Sequence, residues 1–232
     1  RDRLYVKQYE EETNLRATIV LDVSRSMAWT GDAEKRLTKF DYASRLAAAL
    51  ALILLRQRDA TGLIAFDDTI RAVIPPRARP GQWHLVVREL AALAPGGRTV
   101  AEGALRRVTD LLRRRGMVIF VSDLLVEREL VLHALRYLRH RGHQVTVFHV
   151  MDPAEVEFSG PREARYVDPE TGESIVTAAR DLRREYRATV DRVVAAWRRA
   201  CRSSGIGYHR VTTETPFGHA LRHAAEGRAR PG

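Results

Sequence analysis

Cysteine is almost absent from this chain, with Cys201 the single example among 232 residues. An internal disulfide and a cysteine-based zinc site are therefore excluded, and a lone cysteine in a helical segment indicates packing. No apolar run approaches the length of a membrane span, and no signal-peptide pattern opens the sequence. These absences predict a cytoplasmic protein with no membrane segment in this chain.

Lysine is also scarce, although the formal net charge is +10. The chain has 36 arginines against three lysines, which are Lys7, Lys35 and Lys39. An imbalance of this size indicates a coding preference for arginine as much as a selected basic surface. Net charge alone is therefore weak evidence for nucleic-acid binding.

Apolar runs alternate with helical patterns along most of the sequence. The predicted strands are 15–21, 61–66, 70–74, 117–123, 144–150 and 208–211, and the predicted helices are 40–58, 82–93, 99–115, 127–141, 178–203 and 216–226. This alternation predicts an α/β sandwich with a mostly parallel sheet and helices on both faces. The tight turn between the second and third strands makes that pair antiparallel, so the third strand belongs at an edge, and Pro75-Pro76 is expected to end it.

The simplest division is a single domain over residues 1–232, with a lead-in at 1–14. Residues 152–176 break the alternation, and 165–176 has the pattern of a β-hairpin around a Pro and Gly turn. The following helix is predicted to bury a stripe that includes Val193 and Trp197. Its other face carries most of eight arginines against three acids, a net of 8 − 3 = +5.

A set of oxygen-bearing side chains is expected at the carboxyl edge of the sheet, where open α/β sheets place their functional crevice. Asp22, Ser24 and Ser26 follow the first strand, Thr99 follows a glycine pair, and Asp123 ends a second apolar strand. Hard oxygen donors without His or Cys suit Mg²⁺ or Mn²⁺ and are poor ligands for Zn²⁺. The sequence therefore predicts a divalent-metal site at this edge.

These five positions resemble the metal-ion-dependent adhesion site of von Willebrand factor A domains. The flanking sequence resembles the bacterial domain-of-unknown-function family fifty-eight in four stretches, which are Asp2-Arg3-Leu4, Glu10-Glu11-Glu12, 21–27 and 166–172. The resemblance implies a Rossmann-like sandwich in which Ser24, Ser26 and Thr99 bind metal directly, with Asp22 and Asp123 binding directly or through water. One departure is Val100, where family members often have Asp.

The resemblance also implies a function. Family members are typically encoded beside MoxR-type AAA+ ATPases and are thought to work with them as chaperone-like or metal-insertion modules. We accordingly expect a non-enzymatic protein-interaction module in which a partner carboxylate completes the metal coordination. The residues expected to contact that partner flank the site and are Arg25, Met27, Gly97 and Arg98.

Three other interpretations stay open at this stage. Asp22 is suitably placed for the nucleophile of a Mg²⁺-dependent phosphohydrolase, but the second acid usual two residues later is Ser24, and no lysine follows Lys39. The arginine-rich helix 178–203 is a candidate surface for nucleic acid or an acidic partner, although it lacks interleaved aromatics. Each site hydroxyl or acid is also a plausible helix cap on its own.

Overall fold

The computed structural model describes residues 15–97, 102–157, 163–167 and 174–228, without the side chains of 163–182 and 223–228. The lead-in at 1–14, the turn of the predicted hairpin, and Arg98 and Thr99 lie outside the described residues.

Six strands form one mixed sheet, in the order β3-β2-β1-β4-β5-β8. All neighbours are parallel except β2 and β3, which pair antiparallel at one edge, as the tight turn predicted. The strands are β1 Arg16–Asp22, β2 Ala60–Phe66, β3 Ile70–Arg77, β4 Met117–Ser122, β5 Gln144–Met151 and β8 Gly207–Thr212. A separate antiparallel pair, β6 Glu163–Val167 and β7 Ser174–Ala178, supplies the two strands of the predicted hairpin.

Helices cover both faces of this sheet, as predicted. One apolar core lies between the sheet and α1, α2 and α7, and the other between the sheet and α3, α4 and α6. The helices are α1 Lys39–Arg56, α2 Gln82–Ala92, α3 Glu102–Leu111, α4 Arg128–His140, α5 Pro153–Val156, α6 Ala179–Ser203 and α7 Phe217–Arg228. Among the described residues, no helix combines the length and apolar character needed to cross a membrane.

Strand β1 lies inside the sheet because it is apolar on both sides. Ile19 and Leu21 pack into one core while Val20 packs into the other, and all three are fully buried. An uninterrupted apolar run is the pattern expected of a parallel strand covered by helices on both faces. The run ends at Asp22, so the first polar side chain after it lies at the carboxyl edge.

The prediction that Pro75-Pro76 ends the third strand was wrong. Strand β3 continues through both prolines to Arg77. Prolines are tolerated on an edge strand because one side of its backbone needs no ladder partner. The register of β2 and β3 also shifts between Thr61 and Leu63, and the Gln82 side-chain amide donates to the carbonyl of Pro75 (3.0 Å), which holds this irregular stretch in place.

Two helical predictions also need correction. Helix α3 ends at Leu111 rather than near residue 115, and its last turn tightens as Leu112 N donates to the carbonyl of Thr109 (3.2 Å). On α6 the buried stripe passes through Val194 and Trp197, whereas Val193 is half exposed. Cys201 continues this stripe, and its burial raises the pKa of the thiol to about 11, which agrees with a packing role.

Candidate functional site

The carboxyl ends of β1 and β4 lie side by side at one edge of the sheet, and polar residues at the two ends are hydrogen-bonded to each other. The Ser122 hydroxyl donates to Asp22 Oδ2 (2.6 Å), and the backbone N–H of Ser24 donates to Asp22 Oδ1 (2.8 Å). Asp123 follows Ser122, and its carboxylate accepts from the backbone N–H of Leu125 (3.2 Å). Asp22 and Asp123 are both almost fully buried. The structure therefore brings the two predicted carboxylates to the same edge.

The two serines of the site lie around a short 3₁₀ helix at Arg25–Ala28. Their hydroxyl oxygens are 3.2 Å apart, and Ser26 is the more exposed of the two. Ser24 occupies the N-cap position of this helix, but its side chain makes no capping hydrogen bond. The capping interpretation therefore does not account for the Ser24 hydroxyl.

The segment that leads to Thr99 is anchored beside the serines. Gly96 N donates to the carbonyl of Val23 (3.0 Å). Gly97 has a left-handed backbone (φ 71°), and a side chain there would lie 2.6 Å from a carboxylate oxygen of Asp67. Glycine is therefore required at 97 both by conformation and by space. Thr99 and Arg98 themselves lie outside the described residues.

A lysine that the sequence interpretation did not place at the site reaches into this edge. Lys39 is the first residue of α1, and its ammonium donates to Asp123 Oδ2 (2.8 Å) and to Glu155 Oε1 (2.5 Å). The Lys39 side chain is fully buried, and its ammonium also lies 5.7 Å from the centre of the Trp29 ring. Burial lowers the pKa of Lys39, but the negative charges of Asp123 and Glu155 outweigh burial and raise it overall.

Burial at this edge shifts the pKa values of two groups. Burial, together with the negative charge of Asp123, raises the pKa of Asp22 to about 6. Burial also lowers the pKa of His149 to about 4, so its ring is neutral near pH 7. The Nδ1 atom of this ring forms a hydrogen bond with the Tyr208 hydroxyl (2.7 Å). An uncompensated carboxylate at Asp22 is therefore unfavourable, and a nearby cation would relieve that cost.

The residues expected to contact a partner do not all lie on the surface. Arg25 and Gly97 are exposed, but Met27 is fully buried in the core beside α1. The expectation for Met27 needs correction, because its side chain fills the core under the 3₁₀ helix. Two apolar side chains that sequence reasoning did not select are exposed at this edge instead. Trp29 is 44% exposed and Leu125 is 59% exposed.

Comparison with models of known protein families identifies the family of this chain. The model of a family described as "Protein of unknown function DUF58" matches residues 1–196. The chain belongs to this family. A comparison of this DUF58 chain with curated proteins found no match.

Solved structures with the same fold have low sequence identity to this DUF58 chain. BatB from Bacteroides thetaiotaomicron is 19% identical, with a TM-score of 0.56 over 93% of this chain and 100% of that one. An aerotolerance-related membrane protein from Bacteroides fragilis NCTC 9343 is 20% identical, with a TM-score of 0.60 over 92% and 98%. The SpRpn10 VWA domain also matches, at 13% identity and a TM-score of 0.49 over 90% and 94%. At these identities, the first two similarities establish the shared fold alone.

The side chains that sequence reasoning missed have partners distant in sequence. Lys39 bonds to residues 84 and 116 positions away, and Ser122 bonds to Asp22 across 100 positions. One signal for Lys39 was available, because lysine is so rare in this arginine-rich chain. At position 39 the compact lysine ammonium lies between two carboxylates.

The carboxylate and hydroxyl oxygens described at this edge are of the type that Mg²⁺ and Mn²⁺ prefer as ligands. Within the described part of the chain, no cluster of three or more His, Cys, Asp or Glu side chains could hold a metal ion, so a metal site at this edge would also require hydroxyl oxygens. Asp22 is buried and both of its oxygens accept hydrogen bonds, which does not favour a nucleophile. The Lys39 ammonium is likewise held between two carboxylates and is inaccessible to a phosphoryl group.

Proposed function

We propose that this protein is a non-enzymatic interaction module whose carboxyl edge binds Mg²⁺ or Mn²⁺ and docks a protein partner through it. The observation that carries the proposal is the junction of β1 and β4, where Ser122 joins Asp22 to the strand end that bears Asp123. Ser24 donates its backbone N–H to Asp22, and its hydroxyl oxygen lies 3.2 Å from that of Ser26. Thr99 is the fifth proposed ligand.

The donor chemistry of these residues fits a divalent cation. All the proposed ligands are carboxylate or hydroxyl oxygens, the type that Mg²⁺ and Mn²⁺ prefer. The raised pKa of Asp22 reflects burial and the negative charge of Asp123, both of which a cation would offset. A bound cation would supply positive charge that a partner's carboxylate can coordinate. The five proposed protein ligands fill at most five of the six octahedral positions of Mg²⁺, which leaves at least one position for that outside ligand.

The exposed surroundings support docking of a partner with mixed chemistry. Trp29 and Leu125 offer apolar contact area, while Arg25 offers positive charge, beside the proposed metal ligands. Aromatic and arginine side chains are enriched at protein interfaces. A partner segment with an acidic residue and an apolar neighbour matches this surface. From the family resemblance, we propose that the partner is a MoxR-type AAA+ ATPase.

The direct test is affinity capture with the immobilised protein. In Mg²⁺ we expect it to retain a partner that mass spectrometry identifies as an AAA+ ATPase, and we expect EDTA or Asp22→Ala to abolish that retention. The lysate should include detergent-solubilised membranes, because one structural neighbour is described as a membrane protein. Retention depends on metal because the partner carboxylate has nothing to coordinate once the cation is removed.

Two control variants separate this site from the rest of the surface. Asp110→Ala removes an exposed acid on α3 and should leave capture unchanged. Reversing the charges of the exposed Arg198 and Arg199 on α6 tests the arginine-rich face. Metal-dependent docking is refuted if capture is the same in Mg²⁺, in EDTA and with Asp22→Ala. If capture is then lost on reversal of the two arginine charges, the partner binds α6.

A further inference from the structure

We infer that Lys39 is a built-in counter-cation of the carboxyl edge and that its ammonium weakens the binding of the divalent cation there. This inference rests on the proposed metal site and adds the residue that sets the affinity of that site. The ammonium lies 2.8 Å from Asp123 Oδ2. The same carboxylate is a proposed metal ligand, so lysine and metal share one negative charge.

The position of Lys39 in the fold is unfavourable for helix stability. A positive charge at a helix N-terminus opposes the helix dipole. The first turn of α1 is already capped by Thr38, whose hydroxyl oxygen accepts from the backbone N–H of Asp41 (3.0 Å). The lysine is therefore not required to begin the helix, and its side chain extends instead toward Asp123 and Glu155.

The second carboxylate fixes the ammonium in place. Glu155 accepts from Lys39 through Oε1 and from the backbone N–H of Asp152 through Oε2 (2.8 Å). Glu155 is thereby held by the end of β5 while it binds the lysine. Lys39 is fully buried, so water screens its charge very little. A fixed, unscreened ammonium repels a divalent cation that binds the same carboxylate.

The experiment measures Mg²⁺ binding by calorimetry and by the Mg²⁺-dependent rise in melting temperature. Lys39→Met removes the charge and keeps the length of the side chain, and we expect it to bind Mg²⁺ at least about tenfold more tightly than wild type. Glu155→Gln leaves the ammonium paired with Asp123 alone, and we expect it to bind Mg²⁺ more weakly. Lys35→Met is the matched control, because that lysine is 79% exposed, and its affinity should equal that of wild type.

A second variant covers the risk that Lys39→Met fails to fold. Combining Lys39→Met with Glu155→Gln removes one charge of each sign, so the formal charge of the cluster equals that of wild type. We expect this double variant also to bind Mg²⁺ more tightly than wild type, because Asp123 loses its ammonium partner.

The outcomes separate this inference from the proposed function. The inference is overturned if the variants that lack Lys39 fold but bind Mg²⁺ no more tightly than wild type does. In that case, Asp22-dependent binding by wild type still supports the proposed site. Binding that appears only once Lys39 is removed supports the inference and overturns metal binding by the natural protein. Absence of Mg²⁺ binding in every variant overturns both.

Discussion

Asp152→Ala is expected to lower the free energy of unfolding by about 3 kcal/mol. Asp152 follows β5 and is fully buried. Its carboxylate accepts from the backbone N–H of Ala154 (2.8 Å) and from the hydroxyls of Thr30 (3.2 Å) and Thr213 (3.4 Å), and Arg36 lies 3.7 Å away. Alanine would leave the buried Thr213 hydroxyl without this acceptor, together with the partly buried N–H of Ala154 and hydroxyl of Thr30, and each such loss is costly.

The same substitution is expected to disturb the site, because Asp152 and Glu155 form a reciprocal cap on α5. Loss of that cap loosens Glu155, which binds Lys39. Urea denaturation measures the stability change. Asp152→Asn retains one acceptor oxygen, so we expect it to lower the free energy of unfolding clearly less than Asp152→Ala does. Asp110→Ala, on the exposed face of α3, should change stability by no more than about 0.5 kcal/mol. A loss of less than about 1 kcal/mol in Asp152→Ala would contradict the role assigned to its carboxylate.

Asp22→Asn is expected to abolish a pH dependence of stability that wild type shows when divalent metal is removed. The pKa of Asp22 rises from 3.8 in the unfolded chain to about 6 in the fold, so the folded state binds the proton more tightly. The stabilisation is therefore complete below about pH 4 and is lost as the pH rises through about 6. Each pKa unit corresponds to about 1.4 kcal/mol, which gives a loss of about 3 kcal/mol for this group.

The measurement is urea denaturation of both proteins in EDTA, from about pH 4 to about pH 7. We expect the Asp22→Asn variant to gain about 3 kcal/mol relative to wild type over this range, since an amide does not titrate. Adding Mg²⁺ at neutral pH should reduce the difference by stabilising the Asp22 carboxylate. Stability curves that stay parallel across the range would show that Asp22 ionises in the fold as easily as in the unfolded chain.

Much of the fold could be predicted because its signals are local. The run that becomes β1 consists almost entirely of β-branched and aliphatic residues, which is typical of a strand covered on both faces. The short Asp67-Asp68-Thr69 turn allowed only an antiparallel pair, so β3 was placed correctly at an edge. The errors concern choices that tertiary packing makes, such as the selection of Val194 over Val193 on α6.

The site could be predicted only in part, for a related physical reason. Strand ends are visible in a sequence, so Asp22 and Asp123 could be placed at the same edge. Met27 follows the serines closely, yet the 3₁₀ helix turns its side chain into the core. Lys39 lies at the start of a helix, and nothing local indicates its bonds to Asp123 and Glu155. Residues that act through distant partners need the topology before their roles can be recognised.

Binding of Mn²⁺ to the purified protein tests the central claim most directly, because its electron paramagnetic resonance signal reports free ion. We predict that wild type takes up one Mn²⁺ per chain, that Mg²⁺ displaces it, and that Asp22→Ala abolishes uptake while Asp110→Ala does not. Uptake that is the same in wild type and in Asp22→Ala, or no uptake by wild type, would contradict a divalent-metal site at the junction of β1 and β4.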